Sequence, residues 1–235
     1  FDALSPFFPA GERFFVASVK RHKRFAKDER LRADVAAFCA QEGVHAREHE
    51  RYNAMLAARG YPIADMEARV EKILADATRD LPPRWQLAVT ASLEHFTALM
   101  ARLVLGDDAV LDGAHPTMAA LWRWHAAEES EHKSVAYDLY VASGGNWPER
   151  SLVMAVATVI FWSKVVEHQA RMMATDGTAT SPREWAALLK FLFIEPGGMF
   201  GLARRYLDFY RPGFHPGKLD DGAVLAKWEA ATSAA

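Results

Sequence analysis

The chain has 235 residues, about half of them apolar and a quarter charged, with a formal net charge of −2. This is an ordinary globular composition, and its charge gives no electrostatic case for nucleic acid. The single cysteine, Cys39, excludes an intrachain disulfide framework and makes a reducing, cytoplasmic home the default.

Taken in order, Ser5-Pro6-Phe7-Phe8-Pro9 is an apolar lead-in, and Gly11 to about Phe25 reads as a helix. Phe8, Glu12, Phe15, Val16 and Val19 fall on one stripe of it. Asp28 is placed to cap a second helix that runs to Arg59 and stops at Gly60. Its inner face holds Val35, Phe38, Cys39, Glu42, His45, Ala46, His49 and Tyr52. Ile63 to Thr78 reads as a polar helix lying across the others. Pro83 to Gly106 and Pro116 to Gly144 are bounded by prolines and glycines, as helices are. Further helices are expected over Trp147–Thr175, from Pro182 to Glu195, up to Tyr210, and from Asp221 to Ala231. No alternating pattern survives inspection, so the class is all-α.

The chain starts at Phe1 rather than Met, which leaves room for an upstream segment, and no signal-peptide pattern is visible. The longest apolar run, Leu152 to Trp162, falls short of the roughly 18 residues a membrane span needs, so no transmembrane span is expected.

The chemistry lies in two stretches. Gln41-Glu42-Gly43-Val44-His45 and Glu129-Ser130-Glu131-His132 each hold a Glu-x-x-His, whose side chains share a helix face. His49 and His125 lie on the same faces, one or two turns from the Glu-x-x-His imidazoles. Glu94 has Leu87, Ala91, Ala98 and Ala101 as helical neighbours, and Glu12 is similarly surrounded by apolar residues. A carboxylate buried without a partner is costly, and a cation would stabilise it. Two Glu-x-x-His helices plus one inward Glu from each of two others form the ligand set of ferritin-like di-metal bundles.

The expected ligands are therefore Glu12, Glu42, His45, Glu94, Glu129 and His132, as a weak internal repeat of two helix pairs. Glu42 and Glu129 would bridge two ions roughly 3.5–4 Å apart. Glu12 and Glu94 would be terminal, and His45 and His132 would hold one ion each. Glu128 competes with Glu129 for the inner position. His49 and His125 stay open as further ligands, outer groups, catalytic proton carriers or polar core. Tyr52, Tyr137, Trp122 and Trp124 read as core, His95 as structural, and Glu48, Glu131, Arg13 and Lys133 as surface.

Phe8-Pro9-Ala10-Gly11-Glu12-Arg13-Phe14-Phe15, Gln41-Glu42-Gly43-Val44-His45 and His125-Ala126-Ala127-Glu128-Glu129-Ser130-Glu131-His132-Lys133 resemble the bacterial family of predicted metal-dependent hydrolases. The likeness runs from about Phe7 to Phe209, and it implies a ferritin-like metal-binding fold.

One domain over 1–235 is expected, with a metal-binding bundle at about 8–144 and accessory helices at about 147–232. The Glu-rich set favours two iron ions, with manganese, mixed Mn/Fe or zinc as alternatives. The leading functional expectation is O₂-dependent oxidation, oxygenation or desaturation of a small, largely apolar substrate, with an electron donor. A metal-dependent hydrolase is the alternative, and ferritin-like iron handling a third. The Leu152–Trp162 run and the apolar surface of Leu188, Leu189, Phe191, Leu192, Phe193 and Met199 are expected to roof the site, line a hydrophobic channel and contribute to a homodimer contact. On the helix that carries the first of these, Val156, Val159, Ile160 and Ser163 are expected to face the bundle. Glu167 and His168 are placed either at the channel mouth or on the exposed surface.

Overall fold

The computed structural model describes residues 1–196 and 198–233, and among them there is helix and no strand. A 3₁₀ turn at Ser5–Phe7 leads into α1 (Phe8–His22). It is followed by α2 (Glu29–Ala58), α3 (Ile63–Asp80), α4 (Pro83–Gly106), α5 (Pro116–His132) and α6 (Val135–Ala142). After these come α7 (Trp147–Thr175), α8 (Pro182–Phe193), α9 (Met199–Asp208) and α10 (Gly222–Ser233).

Local chemistry sets most boundaries. The Asp28 carboxylate accepts from the Leu31 N–H and starts α2. Asn146 and Ser181 cap α7 and α8 by bonding the N–H groups of Glu149 and Glu184. Gly60 and Gly144 carry positive φ after α2 and α6, where an L side chain would be strained.

The core is built on α1 packed against α2 and α4 packed against α5, with α1 also touching α4. Ser18 pairs with Thr90 at 2.7 Å and Arg21 with Gln86 at 2.9 Å, so α1 and α4 run antiparallel. α3 packs on α1 and on α2. α7 runs parallel to α4, tied by Arg84–Glu149 at 2.7 Å near one end and by the stacked rings of Phe96 and Phe161 twelve residues on.

Three expectations change. The helix from Pro116 to Gly144 breaks after His132 into α5 and α6. At the break Lys133 is pulled aside to the Leu219 carbonyl at 2.6 Å and to buried Asp221, so it is a tether and not a surface charge. The buried face of α7 is also the reverse of the expected one. Val153 and Ala157 are buried while Val156, Val159 and Ile160 are exposed, because a helix apolar nearly all round offers no stripe to choose by. Finally, α8 packs chiefly on α9, and none of its residues lines the cavity at the site.

By length and composition alone, Pro83–Gly106 and Trp147–Thr175 are each long and apolar enough to cross a membrane. This departs from the expectation drawn from the uninterrupted run, since a window that tolerates two charges is longer. The first of these helices is mostly buried in protein and carries Glu94.

Arg150 fastens the C-terminal segment. It is buried, lies over the rings of Phe209 and Tyr137, and donates to Tyr137 Oη at 2.7 Å and to the Arg211 carbonyl at 2.8 Å. Nearby, a Cβ at Gly145 would lie 2.3 Å from the buried ring of Tyr140, whose hydroxyl donates to the Asn146 carbonyl at 2.9 Å and cannot yield. Gly145→Ala is therefore expected to destabilise by about 1–3 kcal/mol and to lower the melting temperature by several degrees, read by thermal circular dichroism. An unchanged melting temperature would contradict this packing.

Candidate metal centre

Helical periodicity brings the polar residues inward from four helices. α1 carries Glu12, α2 carries Glu42, His45 and His49, α4 carries Glu94, and α5 carries His125, Glu129 and His132. Glu42 and Glu94 are completely buried, Glu12 is 1% exposed and Glu129 3%. All four imidazoles are buried as well.

Two groups form among the described residues. Glu42, His45, Glu129 and His132 each offer one ligand atom, and those atoms lie within 4.8 Å of one another. Glu12, His49 and His125 form a second group by the same measure. This grouping differs from the expected one imidazole per ion: His45 and His132 converge on one cluster, while His49 and His125 supply the other. Glu94 stands behind His132, with Oε2 3.2 Å from Nδ1.

The first cluster points its free atoms at one another. His132 Nε2 lies 3.2 Å from Glu42 Oε1, and His45 Nδ1 lies 3.6 Å from Glu129 Oε1. Both oxygens of Glu12 and of Glu42, one each of Glu94 and Glu129, His45 Nδ1 and His132 Nε2 have no hydrogen-bond partner. Buried polar atoms are normally paired. This many orphans at one point, all oxygen or imidazole nitrogen, fit divalent metal ions.

An outer ring orients them. Glu128 accepts from the Trp124 indole N–H at 3.0 Å and meets His45 Nε2 at 2.8 Å, leaving Nδ1 to face the cluster. Glu129 is thus the inner residue and Glu128 the outer partner, a carboxylate–imidazole pairing typical of metal sites. Phe8 stacks on His49 at 4.3 Å, and Trp122 stacks parallel to His125.

A continuous line of hydrogen bonds enters from the N-terminal turn. Asn53 Nδ2 donates to Glu67 at 2.7 Å, which fixes the amide so that its Oδ1 accepts from Ser5 Oγ at 2.6 Å. Ser5 has no second proton, so His49 Nδ1–H donates to it across 2.9 Å. His49 Nε2 then accepts from His125 Nδ1–H at 2.8 Å. That leaves His125 Nε2 facing Glu129 Oε1 at 2.8 Å, where an extra proton must sit between two acceptors. A metal cation would relieve the same conflict.

The electrostatics agree. Burial, followed by repulsion from Glu42, Glu129 and Glu94, holds the Glu12 carboxyl well above its usual range. Burial and then Glu129 act likewise on Glu42 and Glu94. Burial also works against ionisation of Glu129, but the His125 hydrogen bond and three neighbouring imidazoles outweigh it and hold that carboxyl low. Burial and then the neighbouring His125 lower His45 to about 4 and push His49 well below its ordinary value.

Of the other expected residues, His95 is buried against Phe209 and Phe214, away from the centre. Tyr52 and Trp122 are core, Glu131 is exposed, and Arg13 makes an exposed pair with Glu50. Tyr137 bonds the Phe214 carbonyl and supports the C-terminal segment. His168 is buried and bonds the Ala3 carbonyl at 3.3 Å, so it is not at a channel mouth. Sequence reasoning passed over Ser5, Asn53 and Asp221. Asn53 follows His49 by four residues and was findable by period. Ser5 and Asp221 are brought in by tertiary contacts alone.

The fold and centre define a class, an all-α protein with a buried carboxylate–imidazole site built to hold metal. The chain belongs to the family of predicted metal-dependent hydrolases, whose model matches residues 1–220. No curated protein and no solved structure matches it.

Two predictions follow from this geometry. Glu42→Ala and Glu129→Ala are each expected to lose bound metal, while Glu128→Gln retains most of it, all read by elemental mass spectrometry. Full metal content in both alanine variants would refute the inner assignment. The second concerns pH. In metal-stripped protein, burial holds the Glu12, Glu42 and Glu94 carboxyls well above the ordinary glutamate range, so the folded state keeps protons that the unfolded chain releases. The folded state then binds more protons, so stability falls as pH rises towards the folded-state values. His45 and His49 oppose this trend only below the ordinary imidazole range, where the unfolded imidazoles take up protons. The melting temperature of stripped protein is expected to fall as pH rises above the ordinary imidazole range, about 6.5, and restored metal to flatten the slope. A stripped protein whose melting temperature rises over that window would contradict the burial of these carboxyls.

Proposed function

We propose that this chain is a two-metal enzyme that hydrolyses a small, largely apolar acyl compound. The single observation that carries the reading is an apolar cavity of about 270 Å³ whose wall includes Glu12. Among the described residues, its only ionisable wall groups are Glu12 and Lys164; Phe15, Val89, Leu93, Phe96 and Ala157 contribute to the rest. The metal centre thus touches a space that accepts hydrocarbon and little else.

Glu42, His45, Glu129 and His132 would hold one ion, and Glu12 would help hold a second beside them, with Glu94 steadying His132. When bound, such ions lower the pKa of water and polarise an acyl carbonyl. In hydrolysis, water oxygen bonds to the acyl carbon, the bond to the leaving group breaks, and the water proton passes to that group. His49 and His125, bonded to each other and ending on Glu129, are the buried groups placed to carry a proton. Phe8 and Trp122 keep water away from them.

The second reading is O₂-dependent oxidation of the same kind of substrate by two iron or manganese ions, with an external electron donor. Two features favour it. Four carboxylates suit iron and manganese, and among the described residues the cavity wall offers no side-chain amide or guanidinium to position a scissile polar group.

The two readings separate in one experiment on the metal-loaded protein. Anaerobic turnover of a medium-chain nitrophenyl ester, abolished by Glu129→Ala, is the expected result. O₂ uptake that depends on an aliphatic substrate and a reductant, without ester turnover, would replace it with the oxidative reading. In either case Ala157→Trp fills the cavity and is expected to cut turnover at least tenfold with metal content unchanged.

A further inference from the structure

We propose that the cavity binds a linear aliphatic chain ending in a carboxylate, with the carboxylate on Lys164 and the tail running towards Trp85 and Leu152. This deepens the functional reading and rests on its apolar cavity. It holds whether the carboxylate is the substrate of an oxidation or the product of an acyl hydrolysis.

The axis of the cavity follows from helix register. Residues Leu152 to Lys164 of α7 line it, a span of roughly 18 Å at helical rise. The Arg84–Glu149 pair lies beside Trp85 and Leu81 at one end, where every lining residue is apolar. At the other end Lys164 is 29% exposed and is the only cation in the wall among the described residues. A long apolar slot with one cation at one end matches an aliphatic chain with an anionic head.

The charges around Lys164 support an anionic rather than a neutral head. Lys164 pairs with Glu167 at 2.7 Å, but Glu167 is also held by Arg171 at 3.2 Å and Arg69 at 3.3 Å. Asp65 is shared between Arg69 and Arg171 in turn. Three cations face two carboxylates, which leaves one positive charge at the mouth. An incoming carboxylate can take Lys164 while Glu167 keeps two arginine partners.

Register also says where the chemistry would fall. Pairing of Ser18 with Thr90 in the antiparallel α1–α4 contact puts Glu12 near the level of Phe96. Phe96 stacks on Phe161, three residues before Lys164. The metal centre therefore flanks the head end of the chain, within about one helical turn of Lys164 along the axis, and not its tail.

Titration calorimetry on the purified full chain tests this with decanoate and decanol, which share a tail and differ in the head. Wild-type protein is expected to bind decanoate about fivefold or more tightly than decanol, the scale of a part-exposed ion pair. Lys164→Met, which keeps the stem, should remove that preference and leave decanol binding within about twofold. Ala157→Trp should weaken both. Equal binding of the two heads, a preference that survives Lys164→Met, or no binding of either overturns the proposal. If decanoate binding is insensitive to Lys164 but both ligands are lost in Ala157→Trp, the apolar-cavity reading stands and only the head-group assignment falls.

Discussion

Four carboxylates in the interior of one helical core are the constraint on which the rest of this structure depends. Glu12, Glu42, Glu94 and Glu129 are all but inaccessible to water. Ionised and unneutralised, each would cost several kcal/mol in so apolar a place, and their mutual repulsion would add to it. The protein alone offers two partial remedies. Burial and mutual repulsion push the pKa of three of the carboxyls up, which favours their neutral form, and imidazoles are set against the fourth. Neither remedy gives partners to the remaining oxygens of Glu12 and Glu42. Divalent cations satisfy the charge and the orphaned atoms together, which makes a metal the economical explanation for the whole arrangement.

The surroundings can be understood as support for that centre. Glu128 and Trp124 set the rotation of His45, Glu94 that of His132, and Ser5 with Asn53 that of His49. The N-terminal turn thus belongs to the site and is not merely a lead-in to α1. On the opposite flank, α7 closes a hydrocarbon-walled space against α1, α3 and α4. The break after His132 ties the centre to the C-terminal segment, because the Lys133 ammonium reaches Asp221, which Arg102 of α4 also holds at 2.8 Å.

What the sequence made legible was whatever depends on one helix at a time. Caps and stops at Asp28, Gly60, Asn146 and Ser181 lie where side-chain chemistry places them. The inward stripe of Glu42, His45 and His49 is a matter of period, as is the apolar setting of Glu94. The rest depends on how helices are rotated against one another, and a single sequence does not carry that. The meeting of Glu12 with His49 and His125 is such a case. So is the orientation of α7, whose apolar residues surround it and leave no preferred face. The interruption at Lys133 is drawn by partners some 90 residues downstream, out of reach of any local pattern. The reaction class is less legible still, since a carboxylate–imidazole centre serves hydrolysis and oxidation alike.

The central claim is that the interior carboxylates exist to hold metal. Elemental mass spectrometry of the unmodified protein, reconstituted with Fe(II) or Mn(II) and freed of excess, measures this directly. About two equivalents per chain are expected, the stoichiometry of a two-ion carboxylate site. Retention of less than one equivalent, with the protein folded and its carboxylates intact, would contradict it.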